Sequence, residues 1–172
     1  MKKMKRFVAV LLAGIMALAM LTACGGTPSA PVTRDEALEK SVAGWTVELG
    51  KGAKLDLTED ATLTAISNKC LPSMVKTYDA VFAKDKQAML AAGEELSKTL
   101  TAAANGKKVA PVDVCFLENE KFTKEALAAK VEAGMSNIQN VMKLYGVEKP
   151  AKFGVTVTKQ KGYTLILFVI SE

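Results

Sequence analysis

The sequence predicts an α+β fold: an antiparallel sheet of three to five strands packed against several helices, mainly on one side, with a C-terminal β-hairpin. Three observations carry this. Residues 153–158 and 163–170 are apolar-rich runs on either side of Lys159-Gln160-Lys161-Gly162. Residues 124–145 hold one apolar stripe at helical spacing. Pro111 to Leu117 reads as a further strand, with Val112, Val114 and Phe116 on one side.

The chain opens with the three parts of an export signal. Lys2, Lys3, Lys5 and Arg6 form a positive start, and Phe7 to Leu21 is an apolar run. That run is about 15 residues long, whereas a membrane-spanning helix needs roughly 20. It ends at Leu21-Thr22-Ala23-Cys24. These four residues resemble the lipobox of bacterial lipoproteins at every position. The resemblance covers residues 1–24 only. It implies that the Cys24 thiol receives a diacylglyceryl group and that cleavage before Cys24 removes residues 1–23. The other readings are a plain secretory signal, which leaves Cys24 without a role, or a short membrane helix, which lacks the length. Two acyl chains suffice for stable anchoring, because each buried methylene contributes about 0.8 kcal/mol.

Composition narrows the rest. Four of the 23 Lys and Arg residues lie in the signal, against none of the 18 acidic residues. The formal charge of +5 therefore falls close to neutrality once the signal is removed. A nucleic-acid partner is not expected on charge grounds. About 150 residues remain, enough for one core but too few for a two-lobed solute-binding protein. The expected organisation is signal 1–23, lipidated cysteine and flexible tether 24–33, and one α+β domain 34–172. With no histidine in the chain, Ser-His-Asp and Cys-His catalysis and imidazole metal ligation are excluded.

Taken in order, Thr33 is placed to cap a short helix running to about Val42. Trp45, Val47 and Leu49, then Leu55 and Leu57, alternate with polar residues around Gly50-Lys51-Gly52-Ala53, which predicts a β-hairpin. The Gly-Lys-Gly spacing does not match a phosphate-binding loop. Thr58-Glu59-Asp60 predicts a helix start, with Leu63, Ile66 and Cys70 on one face and Pro72 closing it. Ser73 then caps a second helix carrying Val75, Tyr78 and Phe82, with a break near 83–85. Met89, Gly93, Leu96 and Leu100 continue the pattern to Asn105-Gly106, which supply positive φ. After the 111–117 strand, Glu118-Asn119-Glu120 reads as a solvated loop, short of the ligands that Ca²⁺ needs.

Thr123 caps the 124–145 helix, with Phe122 and Leu127 at hydrophobic-staple positions. Leu127, Val131, Met135, Ile138, Met142 and Tyr145 form its stripe, and Gly146 with Val147 its ending. Residues 163–170 contain almost nothing polar, which predicts a central strand buried on both faces, between 153–158 and 112–117. A second face then needs helices, a partner or another subunit. Lys149, Lys152, Lys159 and Lys161 read either as solvated or as a face for anionic lipid or wall polymer.

No catalytic or metal-binding residues and no cofactor are assigned. Cys70 and Cys115 are expected either to form a disulfide, worth about 4 kcal/mol for a loop of this length, or to pack as buried thiols. The leading functional expectation is a non-enzymatic, lipid-anchored binding or interaction module on the extracytoplasmic face of a bacterial cell membrane. It meets the membrane through the anchor, and an envelope protein or small molecule through the domain. Two alternatives are a small envelope enzyme using carboxylates or Lys, and a structural subunit whose 163–170 strand is shielded by another chain.

Overall fold

The computed structural model describes residues 32–172. The chain runs through α1 (Glu36–Gly52), β1 (Thr58–Glu59), α2 (Ala61–Phe82), α3 (Lys86–Ala104), β2 (Ala110–Leu117), α4 (Lys124–Ala133), α5 (Met135–Leu144), β3 (Lys152–Gln160) and β4 (Tyr163–Ser171). The α+β class and the C-terminal hairpin are as expected. The sheet order is β1-β3-β4-β2. β4 pairs antiparallel with β3 and β2, while the two residues of β1 run parallel to β3. The sheet is thus mixed, with one short parallel pair that the sequence did not signal.

The hairpin follows from local chemistry. Gln160 pairs with Tyr163 across Lys161-Gly162, and Gly162 takes φ +93°, a conformation open to glycine without steric cost. Past the turn, Leu165, Ile166, Leu167 and Val169 each have 0% exposure. Full burial of such side chains contributes about 1.5–3 kcal/mol each. This makes β4 the strand around which both layers assemble.

Helices cover both faces of the sheet, not mainly one. On one face Leu63, Ile66, Cys70, Met74 and Tyr78 of α2, backed by Leu96 and Leu100 of α3, meet Leu165, Leu167 and Val169. On the other, Val42 and Ala43 of α1 and Leu127 of α4 meet Val112, Val114, Phe116, Val155, Val157, Ile166 and Phe168. The second face is closed by the chain's own helices, so β4 needs no second subunit to shield it.

Residues 45–52 are the last part of α1, not a hairpin strand and turn. The alternation there is real, but Leu38, Val42, Trp45 and Leu49 also recur at helical spacing, and the apolar face of the sheet selects that set. Asp35, not Thr33, caps the helix, accepting from Leu38 N–H at 3.0 Å. Thr46 donates back to the Val42 carbonyl at 2.8 Å, which satisfies its hydroxyl inside the helix.

Two further boundaries move. Asp60, not Thr58, caps α2, accepting from the N–H groups of Thr62 and Leu63 at 2.8 and 3.2 Å. Pro72 lies inside α2 instead of ending it, and Ser73 is buried mid-helix rather than at a cap. An interior proline costs a helix about 3 kcal/mol. Cys70, Leu71, Met74 and Val75 flank it and are all buried, so their packing outweighs that cost. The break at 83–85 is present, with Asp85 capping α3. So is the ending at Asn105 and Gly106, at φ +48° and +82°.

The expected 124–145 helix is two helices joined at Gly134. Thr123 caps α4, and Val147 N–H reaches Met142 O at 2.9 Å behind Gly146. The stripe is peripheral, however. Leu127 is its one buried member, no residue of α5 is buried, and Met135 and Leu144 are over 40% exposed. The helix at the centre of the fold is α2.

Candidate functional site

Leu21, Thr22, Ala23 and Cys24 lie outside the described residues. Of the other residues singled out from the sequence, Cys70 and Cys115 share the cluster between α2 and the sheet, both as buried free thiols. Burial pushes the Cys70 thiol up to about 11. Burial, with the nearby Asp113 charge, pushes Cys115 to about 12. Neither is poised as a thiolate at neutral pH.

The four lysines grouped in sequence are divided by β3. Lys152 begins that strand and Lys159 nearly ends it, about 23 Å apart at strand rise. Lys159 pairs with Asp35 at 3.0 Å. In the acidic loop, Glu120 turns back to accept from Leu117 N–H at 2.6 Å and from Lys130 at 2.8 Å. No three His, Cys, Asp or Glu residues gather as a metal-binding set among the described residues. Trp45 is half-buried against Phe122, ring centroids 5.8 Å apart.

The most concentrated chemistry comes from residues to which the sequence reading gave no role. Tyr78 and Asp79 of α2, Asp113 of β2 and Tyr163 of β4 meet where the sheet begins under the end of α2. Tyr78 donates its hydroxyl to Asp113 Oδ2. Tyr163 donates to Asp79 Oδ1 at 2.9 Å. The two phenol rings stack at 5.9 Å, and Phe82 closes the group 5.1 Å from Tyr163. Asp79 Oδ2 is buried with no hydrogen-bond partner.

Burial raises the Asp113 carboxyl above its ordinary value, against the lowering effect of the Tyr78 hydroxyl. Burial also raises both phenols, and the adjacent carboxylates add to it. The arrangement can hold a proton tightly on either phenol. Each carboxylate is engaged by a tyrosine rather than aligned on a nucleophile. An acid in the otherwise apolar run Val112-Asp113-Val114 was the one sequence signal that could have pointed here.

A second polar constellation seals the open edge of β3. Glu39 accepts from two of the three Arg34 guanidinium nitrogens, Nε at 2.9 Å and Nη2 at 2.5 Å, and accepts Val157 N–H at 3.0 Å. Arg34 itself bridges Thr158, and Asp35 N–H donates to Val157 O at 2.7 Å. Edge groups that would otherwise template pairing with another chain are thereby used internally.

No helix among the described residues is long and apolar enough to cross a membrane. Searches of protein families, of curated proteins and of solved structures found no match to this chain.

Proposed function

We propose that this chain is a lipid-anchored, extracytoplasmic interaction module of a bacterial cell envelope that works without catalysis. The observation that carries the reading is the segment 1–24: positive start, apolar run too short to span a bilayer, and Leu21-Thr22-Ala23-Cys24. The domain supports it in two ways. Both sheet faces are closed by helices, so a partner meets the outer surface rather than a cleft through the sheet. The half-exposed apolar residues of α5, Met135 and Leu144 among them, supply contact area of that kind.

The test is expression of the full chain with a chain-terminal tag on the C-terminal side, beside a Cys24→Ser variant. Intact mass of the membrane-extracted protein should show cleavage before Cys24 and an added diacylglyceryl group. The variant should stay uncleaved and unlipidated. A mature protein of unmodified mass in the soluble fraction would overturn the anchor. Cross-linking in the native membrane, followed by mass spectrometry, then identifies the partner.

The Tyr78–Asp113 and Tyr163–Asp79 pairs favour one second reading, an envelope enzyme that uses a carboxyl of raised pKa. Asp113→Asn would then abolish turnover of a substrate while leaving the domain folded.

A further inference from the structure

β2 is an outer strand of the sheet, so alternate residues turn their backbone groups toward β4 and away from it. Glu118 N–H donates to Gly162 O at 2.9 Å, on the β4 side, whereas Leu117 N–H turns the other way, to Glu120 at 2.6 Å. Pro111, Asp113, Cys115 and Leu117 therefore face outward with their backbones. Both ends of that row are closed. Pro111 has no N–H to give, and Leu117 O accepts from Glu120 N–H at 2.9 Å. The middle of the row, Asp113 and Cys115, is where another strand can pair, although the Asp113 carboxylate draws on its own N–H.

Helix α5 lies over this strand. Outer strand or not, Ala110, Pro111 and Cys115 are buried. Ile138 packs with the cluster on the α1 side of the sheet, and Tyr145 with the cluster on the α2 side. Among the strands, the main contact of α5 is β2, so the chain passes from one face to the other by way of that strand. Yet α5 is the least firmly held helix. It has no buried residue, and glycines stand at both of its ends, Gly134 and Gly146. Few buried apolar contacts put local opening at the low end of the free-energy scale.

The opposite edge decides what can pair there. The outward side of β3 carries β1 at its start, and Arg34, Asp35 and the Glu39 carboxylate near its end. A β2 edge therefore finds no β3 edge to join, and head-to-tail addition of copies is blocked. The same patch on two copies can still meet across a two-fold axis, which closes after one step.

We propose that α5 gates self-association: when it swings off β2 about Gly134 and Gly146, β2 pairs antiparallel with β2 of a second copy, and the assembly stops at a dimer. Asp113 of each copy then exchanges N–H···O bonds with Cys115 of the other. This register keeps the two Asp113 charges from lying directly opposite each other. It also sets the two Val114 residues opposite each other on the axis. Neither step needs the lipid anchor.

The experiment uses the full chain in detergent, carrying Val114→Cys with Cys115→Ala so that one thiol of β2 marks the axis. Ile138→Asp is added to remove an apolar contact that holds α5. Hydrogen exchange should then show the amides of α5 losing protection several-fold more than those of α2. Sedimentation should shift from monomer to dimer. Oxidation should link position 114 of two copies, a pair close enough for a disulfide, with no larger species. A chain that stays monomeric although its α5 amides are unprotected overturns the proposal. So do species beyond a dimer, or a dimer that does not cross-link at 114. Should Ile138→Asp unfold the domain, the chain with Ile138 retained is taken to urea just below its unfolding transition. There α5 should open before α2 and the same cross-link should form. Its absence, or an α5 as protected as α2, overturns the proposal.

Discussion

A Cβ placed on Gly154 would lie 2.0 Å from the backbone nitrogen of Thr64 and 2.1 Å from the carbonyl carbon of Leu63. The first turns of α2 therefore rest directly on β3. The contact continues through Ser67, whose hydroxyl meets Thr156 Oγ1 at 2.7 Å and donates to Leu167 O at 2.8 Å. Small and hydroxyl-bearing residues on this side of β3 are what let the helix approach so closely.

Gly154→Ala should destabilise the domain by about 3 kcal/mol or more, since backbone on backbone leaves no side chain to move aside. Gly44 provides the control. It lies mid-helix in α1, exposed, with nothing within 4 Å of an added Cβ. Gly44→Ala should stabilise by about 0.5–1 kcal/mol. Urea unfolding of both variants checks the pair, and comparable losses for the two would refute the close approach at Gly154.

Glu39→Ala should cost about 1.5–3 kcal/mol, because it strands the Val157 N–H and leaves Arg34 without its carboxylate. Glu39→Gln keeps an acceptor for Val157 and should cost less. Denaturation midpoints for the two variants test this. A loss below about 0.5 kcal/mol for the alanine would mark Arg34–Glu39 as an ordinary surface pair.

Asp113 should give an inverted pH dependence. Burial raises its carboxyl above the ordinary 3.8 in the folded chain, so between that value and its folded pKa the folded state binds more proton than the unfolded state. Stability from this group is complete below its unfolded pKa and is lost as pH rises through the folded one. The capping acids Asp35 and Asp60 are lowered instead, chiefly by the backbone N–H groups of Leu38 and Leu63, and so work in the opposite direction. Comparison with Asp113→Asn cancels them. The stability of the parent relative to the variant should decline as pH rises from about 4 toward neutrality. A relative gain over that range would contradict the burial of this carboxyl.

Cys70 and Cys115 should resist a thiol reagent in the folded protein near pH about 8, since both are buried and hold their protons beyond that pH. On unfolding without reductant, Cys70 and Cys115 should each contribute one titratable thiol. If they appear only after reduction, the pair is bonded. Reaction of either in the native state would show that the cluster beneath α2 opens.

Legibility in the sequence tracked how many local cues agreed. Thr123 as cap, Asn105-Gly106 and Gly146 as endings, and both strands of the hairpin stand where the sequence puts them. The end of α1 was obscure because Lys54 takes the positive-φ position there, at +60°, where glycine or asparagine is the usual signal. Pro72 misled because its penalty is local while the compensating burial comes from other elements. The tyrosine–carboxylate group was invisible because Asp113 and Tyr163 come from strands far along the chain from Tyr78 and Asp79.

Readable from the sequence alone were the class of the fold, the hairpin around Lys161-Gly162, the central place of residues 163–170, the Thr123 cap and the endings at Asn105-Gly106 and Gly146. The proposed lipid anchor also rests on sequence alone. Only the tertiary structure decided that residues 45–52 are helix, that α2 runs through Pro72 to the centre while α5 stays at the rim, and that both sheet faces are closed. The reason is physical. Caps and turns are settled by groups a few bonds apart, but an ambiguous apolar pattern acquires a conformation only from the surface against which it is buried.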